Sequence, residues 1–338
     1  MKHARAALPG LSLLAVLACA PLAAPVFAQE AVQAAPEQVL VVGQRPGPGL
    51  WKVSKDDHVL WVFGTYAPLP VQMQWRSHEV ETILAQSQEL IGAPGMSLNV
   101  GWMDSLNIIT ALPSLIGARK NTNGESLQEI VPADVYARWA VLKARYIGDD
   151  KGVESLRPLF AADQLFTTAT SKSGLSNNTA VDKRIYTLAK EHKLKITPTG
   201  IAIALENPRG ALKDFKKSSI DDLACFSTTI DRLETDLDGM RARANAWAIG
   251  DIAKMRALRY PDQEEACRSA VTSSGWMKSL KGAEDIEGRS KSVWLAAAEK
   301  ALTSNRSSFA LLPVSKAMND DGYVAALKAK GYVVEEPE

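Results

Sequence analysis

Histidines and carboxylates come first in a search for chemistry, because together they bind catalytic metal ions. Beyond residue 28 the chain has three histidines, His58, His78 and His192. His58 lies beside a predicted hairpin turn, and His192 stands among lysines at the end of a predicted helix. His78 is followed by Glu79 and Glu81, which as first-turn acids complement the helix dipole. No histidine has a partner of the HExxH kind, so these residues predict no metal site.

Serines and lysines offer a second route to catalysis. The sequence contains no GxSxG motif, no phosphate-binding P-loop and no GxGxxG after a predicted strand. Lys172 and Lys316 each lie near serines, but a Ser–Lys dyad depends on a geometry that spacing alone does not supply. A Ser–His–Asp triad stays open, although no pattern favours one. The motifs therefore nominate no catalytic residue, and we predict no cofactor.

The N-terminus has the three parts of a secretory signal peptide. Lys2 and Arg5 form a positive start, and Leu11–Leu22 is almost wholly apolar. Small residues then predict cleavage after Ala28, so that Gln29 begins the mature chain. The apolar run is shorter than the about 20 residues that a membrane span needs. We therefore expect a periplasmic or secreted protein.

Two alternatives to simple cleavage stay open. The segment could remain as an uncleaved anchor, or Cys19 could be lipidated, although Leu17 stands where a lipobox has a small residue. Residues 29–48 predict a flexible lead-in, because they end in a cluster of proline and glycine. Residues 49–338 are then the folded domain.

The charge of the mature chain is nearly balanced. Removing Lys2 and Arg5 from the 39 basic residues leaves 37, against 38 acidic residues. That balance gives no electrostatic reason to expect nucleic acid or anionic lipid as a partner. No second apolar stretch approaches membrane length, so we expect no stable membrane insertion of the mature chain.

The mature chain has two cysteines, Cys225 and Cys267. In an oxidising compartment an isolated pair favours a disulfide, with two unpaired buried thiols as the alternative. The bridge would close a loop of about 42 residues, which the chain-entropy estimate values at about 4 kcal/mol. A metal site is disfavoured, because the two thiols lack CxxC spacing and a nearby histidine.

Strands are predicted at both ends of the mature chain and helices between them. An apolar hairpin is predicted from Leu50–Val53 and Val59–Phe63, and short strands from 89–91, 194–197, 308–312 and 331–334. Helical periodicity predicts helices from residue 77 and over 125–130, 132–146, 158–171, 181–192, 219–250, 251–258, 262–271, 289–302 and 320–330. The terminal strands are expected to meet in one sheet covered by the helices, which predicts a single α/β (α+β) domain.

Several of these segments together resemble one family. Gly49–Val53 with Val59–Thr65 is similar to the opening of TraB/GumN proteins, the group that also includes PrgY. Ser308–Leu312 and the closing Leu327–Val334 resemble the last strand, helix and strand of that family. A middle helix from Val181 and the W-x-x-G-D element at 247–251 follow the same order. The resemblance implies a TraB/Tiki-like central sheet covered by a large helical middle section.

The resemblance also implies a metal-dependent peptidase site, which this sequence does not match. Tiki-type relatives are proposed to bind the metal through two Gly-x-x-His motifs, at the ends of the first and last core strands, and a carboxylate. Here Ala67 and Lys316 stand at the histidine positions, and Gly92 and Ala93 stand near the position of the acid. Alanine and glycine side chains have no donor atom, and the lysine ammonium repels a metal cation.

Two functions follow from these departures. The first is an envelope binding or structural protein with a degenerate metal-hydrolase site. An envelope peptide or a glycan is its candidate partner. Trp75 and Trp102 could line a groove for such a partner, or could pack in the core. The alternative is an active periplasmic hydrolase with a site rebuilt near Thr65, Tyr66, Glu79 and Lys316. A role in exopolysaccharide handling rests on the family name alone.

Overall fold

A computed structural model describes residues 47–100, 117–177, 180–205, 207–218, 220–258 and 263–337. The predicted signal peptide, its cleavage site and most of the lead-in lie outside these residues and stay predictions. Within the described residues, no helix is both long enough and apolar enough to cross a membrane.

The core of the fold is a six-stranded mixed sheet in the order β10-β1-β2-β9-β4-β7. β1 pairs antiparallel with β2 and with β10, whereas the pairs β2-β9, β9-β4 and β4-β7 are parallel. The strands of this sheet and of two small two-stranded sheets, β3-β6 and β5-β8, are β1 Leu50–Lys55, β2 His58–Thr65, β3 Leu69–Pro70, β4 Glu89–Ile91, β5 Gly95–Val100, β6 Leu175–Ser176, β7 Lys195–Thr197, β8 Gly200–Leu205, β9 Ser307–Pro313 and β10 Val333–Glu335. The prediction that terminal strands share one sheet is therefore confirmed.

Helices supply most of the remaining described chain. They are α1 His78–Ala85, α2 Leu127–Ile130, α3 Ala133–Tyr146, α4 Pro158–Lys172, α5 Ala180–Glu191, α6 Pro208–Lys217, α7 Leu223–Thr235, α8 Leu237–Ala248, α9 Ile252–Ala257, α10 Gln263–Thr272, α11 Gly275–Ser279, α12 Ile286–Ser304, α13 Val314–Met318 and α14 Tyr323–Ala329. Two short 3-10 turns, Thr122–Gly124 and Gly152–Ser155, lie beside α2 and α3. The mixed α/β class that the sequence predicts is confirmed.

Two apolar clusters account for the packing. The first covers the sheet, where β2 and β9 carry fully buried side chains such as Phe63 and Phe309. The second lies within the helical section, where Trp139 of α3, Phe166 of α4 and Phe226 of α7 meet. Burying one such aromatic side chain contributes roughly 2 to 3 kcal/mol, so each cluster stabilises its own part of the chain.

The fold contains elements that the sequence did not predict, such as the helix Pro208–Lys217, and two of the differences have a physical reason. The helical stretch 219–250 is interrupted at Asp236, which ends α7 and begins α8. The Asp236 carboxylate at this break accepts a hydrogen bond from Arg243. Helical periodicity alone does not indicate this contact. Strands β5 and β8 were not predicted, because they pair only with each other and leave Met96 and Leu98 exposed. Such half-covered strands lack the apolar contrast on which the prediction depends.

The two cysteines form a disulfide between α7 and α10. The Cα atoms of Cys225 and Cys267 are 4.5 Å apart, and the bridge closes 42 residues of chain. Cys225 is fully buried among the helical cluster, and Cys267 is half-buried. The sequence left unpaired thiols open, and the structure has the bridged form.

A buried carboxylate ties together the amino ends of three parallel strands. Glu89, at the start of β4, accepts hydrogen bonds from Lys195 of β7 at 2.8 Å, from Thr197 and from Asn305 at 2.7 Å. Burial alone would raise the pKa of Glu89, but these hydrogen bonds outweigh it, so the pKa lies below the ordinary value of 4.5. The carboxylate therefore stabilises the sheet in its charged form.

Replacing both cysteines (Cys225→Ala with Cys267→Ala) should lower the free energy of unfolding by about 4 kcal/mol, because the unfolded chain gains the freedom of the loop. For a domain of this size the melting temperature should fall by roughly 6 to 8 °C, measured by differential scanning calorimetry. A reductant should shift the native protein in the same direction and leave the double variant unchanged. Equal melting temperatures of the two proteins would contradict the prediction.

Replacing the buried carboxylate (Glu89→Gln) should lower the free energy of unfolding by about 1 to 3 kcal/mol at pH 7. The glutamine NH₂ group is a donor, and it would face a donor of Lys195, Thr197 or Asn305 in place of an acceptor. Because the folded pKa is depressed, this contribution is present above pH 4.5 and is lost as the pH falls through the folded pKa. Urea unfolding at pH 7 and pH 3 should show the gap between native and variant closing in acid. A gap that is unchanged at pH 3 would count against the assignment.

Candidate functional site

The carboxyl ends of β2 and β9 lie side by side at one edge of the sheet. Their register pairs Gly64 with Leu312 and Thr65 with Pro313. A cavity of about 900 Å³ opens beyond this edge. Its polar lining consists of Thr65, Tyr66, Asp163, Asn177, Asp182, Arg232, Arg243, Gln263, Cys267, Arg268, Ser315 and Asn319, and its apolar lining of Ala67, Pro68, Leu159, Phe160, Phe166, Val181, Met255, Val271, Pro313, Val314 and Met318. Clefts outside the carboxyl ends of parallel strands are common ligand sites.

The W-x-x-G-D element fixes the end of β2. The indole nitrogen of Trp247, on α8, donates a 2.6 Å hydrogen bond to the carbonyl oxygen of Gly64. A Cβ at Gly64 would stand 2.7 Å from the Trp51 ring, so only glycine allows this approach. Gly250 has a φ of 71°, which ends the helix, and Asp251 then caps α9 by accepting from the Lys254 amide at 2.9 Å. Each residue type of the element thus has a physical role beside the cavity.

Arg243, one turn before Trp247 on α8, holds the loop after β2. Its guanidinium donates to both carboxylate oxygens of Asp236, one of them at 2.9 Å, and to the carbonyl of Leu258 at 2.8 Å. Its Nε donates to the Tyr66 hydroxyl at 3.1 Å. Because that hydroxyl oxygen accepts from Arg243, the Tyr66 proton can be donated elsewhere. Burial raises the pKa of Tyr66, which outweighs the opposite effect of Arg243.

Arg232 of α7 joins the same group. Its Nη1 donates to Gln263 at 3.1 Å, and its guanidinium lies 5.4 Å from the centre of the Phe166 ring. The Nε is 3.5 Å from a carboxylate oxygen of Asp236, close enough for an ion pair but without a hydrogen bond. The cavity wall at α7 and α8 is therefore a network in which one carboxylate serves two arginines.

Asp182, in the first turn of α5, lines the cavity without such partners. One of its carboxylate oxygens is buried, and no hydrogen-bond donor of the described residues reaches it. Burial raises the pKa of Asp182. The neighbouring Arg184 turns instead to Glu81, at 3.3 Å.

The residues proposed for a rebuilt hydrolase site do not line one cavity. Thr65 and Tyr66 line the cavity at the strand ends, whereas Glu79 is exposed on α1. Lys316 lines a second cavity of about 580 Å³ and binds Glu287 there at 3.0 Å. Its ammonium also lies 5.5 Å from the centre of the Tyr323 ring.

The positions at which the family resemblance implies metal ligands carry other groups. Ala67 is exposed at the cavity rim, and Lys316 is held by its ion pair. At the end of β4 the Gly92 amide donates to Thr197, and a Cβ at Gly92 would meet the Tyr186 hydroxyl at 2.9 Å. Tyr186 also makes a hydrogen bond with the backbone of Ala93. The donor atoms present at these positions therefore do not fit a divalent metal ion.

The histidines lie apart from the cavity. His58 is hydrogen-bonded through Nδ1 to the carbonyl of Asn305 at 2.7 Å, near the amino end of β9. His78 and His192 are exposed. Across the described ranges, no group of three or more His, Cys, Asp and Glu side chains is arranged to hold a metal ion.

Trp75 packs in the core, with its ring 5.9 Å from Phe63 and 5.9 Å from Trp247. Trp102 lies outside the described residues. Sequence reasoning missed the network of Arg243 and Asp236, although Arg243 precedes Trp247 by four residues and so shares its helix face. That spacing was the available signal.

Replacing the buried arginine (Arg243→Met) should cost about 3 to 5 kcal/mol, because the buried Asp236 carboxylate loses its hydrogen bonds to Arg243 and keeps only the longer ion pair with Arg232. Removing only the phenol hydroxyl (Tyr66→Phe) should cost about 1 kcal/mol, the usual value for one hydrogen bond. Urea unfolding of both variants at pH 7 measures the difference. Restoring neutrality with Asp236→Asn in the Arg243→Met background should recover part of the loss. Equal costs for the two single variants would show that the ion pair is not the main contact.

Comparisons with known proteins agree with the arrangement of strands and motifs. The family described as TraB/PrgY/gumN matches residues 49–336, which cover most of the chain. No curated protein and no solved structure gives a significant match. On the extent of the family match, the chain belongs to the TraB/PrgY/gumN family.

Proposed function

We propose that this protein is an exported family member with a degenerate metal-hydrolase site, which acts without catalysis as a binding or structural protein of the cell envelope. The residues 49–338 would be its folded domain. The proposal concerns the cavity at the ends of β2 and β9, where the family resemblance implies a metal.

One observation carries the proposal: Lys316 forms an ion pair with Glu287. Where the resemblance implies a histidine, this ammonium group is bound to Glu287 at 3.0 Å, and the pair lowers the pKa of Glu287. An ammonium group has no lone pair with which to bind a metal and repels a metal cation, and this one is engaged by a carboxylate of the protein. The position is therefore occupied by an ion pair.

The position of the acid supports the same conclusion. The Gly92 carbonyl accepts a hydrogen bond from Thr199 at 2.8 Å, and the Tyr186 hydroxyl stands where a side chain would begin. A carboxylate at this position would require Tyr186 to move. The space of the ligand is thus used for packing, which favours a lost site over a temporarily empty one.

Export rests on the sequence of residues 1–28 and is supported by the disulfide. Bridged cysteines persist in oxidising compartments and are rare in the bacterial cytosol. A periplasmic or secreted location agrees with both features. The binding role rests on the cavity, whose size suits part of a peptide or a short glycan.

The competing hydrolase function finds less support. Thr65 and Tyr66 share the cavity, but Glu79 and Lys316 do not line it. A general base must lie within hydrogen-bond reach of the group that it serves. Incubation with a peptide library and mass spectrometry separates the two functions, because only the hydrolase produces fragments.

The purified chain should bind neither zinc nor manganese at micromolar concentration, measured by calorimetric titration. A matched control is the double variant Ala67→His with Lys316→His, which restores imidazoles at neighbouring strand ends. Removing Lys316 leaves Glu287 with Arg268 as its remaining ion-pair partner, at 3.4 Å. If the missing imidazoles are what prevents metal binding, the double variant should bind zinc about tenfold or more tightly than the native protein.

Stoichiometric zinc binding by the native protein would contradict the proposal. So would a rise in melting temperature with zinc that is equal in the native protein and in the double variant. The same titration on Lys316→His alone shows whether one imidazole with Glu287 is sufficient.

A further inference from the structure

We propose that the cavity at the strand ends binds a primary amine of a peptide ligand through the carboxylate of Asp182. This inference rests on the proposed binding function and names the chemical group that the cavity recognises. It is based on the partners of each charged side chain that lines the cavity.

Asp182, which is half-buried, differs from the acidic residues that folding buries fully. The three acidic residues buried in the described part, Glu89, Asp222 and Asp236, all accept hydrogen bonds from the protein. Asp182 has a buried oxygen with no donor. The α5 terminus offers it only the partial charge of the helix dipole. A buried polar atom without a partner costs free energy, so it points to a group supplied from outside.

The arginines of the cavity cannot supply that group. Arg243 is held by Asp236, Tyr66 and a backbone carbonyl, and Arg232 by Gln263 and Asp236. Arg268 lies 3.4 Å from Glu287 and forms a second ion pair with Glu265.

The charged group of the cavity wall that lacks a partner is therefore a carboxylate. Asp163, which also lines the cavity, has no ion pair among the described residues. A ligand with a phosphate or carboxylate would meet arginines that already hold partners within the protein, whereas a cation would meet a carboxylate oxygen without one. Burial disfavours the charged form of Asp182, and an ammonium group would reverse this effect.

The remaining lining favours a peptide over an amino sugar. Val181, adjacent to Asp182, is buried, and Phe166 and Leu159 line the same cavity. Apolar walls of this kind accept side chains that flank a lysine or an amino terminus. The hydroxyls of a sugar would need free donors, and the arginines and Gln263 of the wall already hold partners.

The test uses the purified chain and two sets of fluorescent tetrapeptides with apolar flanks. The first set is capped at both ends and carries one lysine at each position in turn, and the second has a free amino terminus and no lysine. Fluorescence polarisation should detect binding in one set, which identifies the source of the amine. Acetylating the amine of the best ligand should weaken binding about tenfold or more, as loss of a charge-assisted hydrogen bond predicts.

The variant Asp182→Asn should weaken the same ligand about tenfold or more, while Glu191→Gln, at the exposed far end of α5, should leave the affinity unchanged. Without ligand, Asp182→Asn should melt at a higher temperature than the native protein, because an unpaired buried charge is removed. The inference is overturned if no peptide of either set binds, if acetylation has no effect, or if Asp182→Asn binds normally. A lower melting temperature for Asp182→Asn would also overturn it, since it would reveal a partner within the protein.

Failure of this inference and failure of the proposed function are distinguishable. Peptide cleavage or native zinc binding would refute the non-catalytic function, and neither depends on Asp182. Binding that is indifferent to the amine would refute only the recognition by Asp182.

Discussion

The hydrogen bond from the Trp247 indole to the Gly64 carbonyl joins helix α8 to the end of β2 in the central sheet. It requires a glycine at the end of β2, because Trp51 and Val314 leave no space for a Cβ. It also fixes the rotation of α8 about its axis, so that residues one turn away face the same strand end. This contact therefore positions Arg243, which donates a hydrogen bond to Tyr66, and with it one wall of the cavity.

The helical section controls the opposite wall of the same cavity. Residues Gln263, Cys267 and Arg268 of α10 line it, and the disulfide to Cys225 attaches α10 to the buried α7. Arg232 of α7 is in turn hydrogen-bonded to Gln263. The bridge therefore does more than limit the unfolded chain, because it also holds the cavity-lining helix α10 against α7 of the second apolar cluster.

The sequence predicted the features that depend on local pattern and failed where long-range contacts decide. The hairpin, the terminal strands and the fold class follow from apolar runs and turn residues, and they are present. The site was not predictable in the same way. Asp236 ends one helix and begins the next, and its carboxylate binds Arg243 across seven residues, a contact that helical periodicity does not indicate. One carboxylate oxygen of Asp182 has no hydrogen-bond donor among the described residues. Residue spacing along the sequence cannot predict the absence of such a donor.

The positions at which the family resemblance implies metal ligands lie in packed and paired surroundings. An acid at Gly92 would collide with Tyr186, and a histidine at position 316 would remove one of the two cations beside Glu287 and leave Arg268. A substitution at either position would therefore also disturb the contacts of its neighbours. The cavity depends less on these side chains, because parallel strands that end side by side leave a cleft whatever side chains follow them. Within the cavity wall the carboxylate of Asp182 is the group to follow, since one of its oxygens is buried and has no hydrogen-bond donor among the described residues.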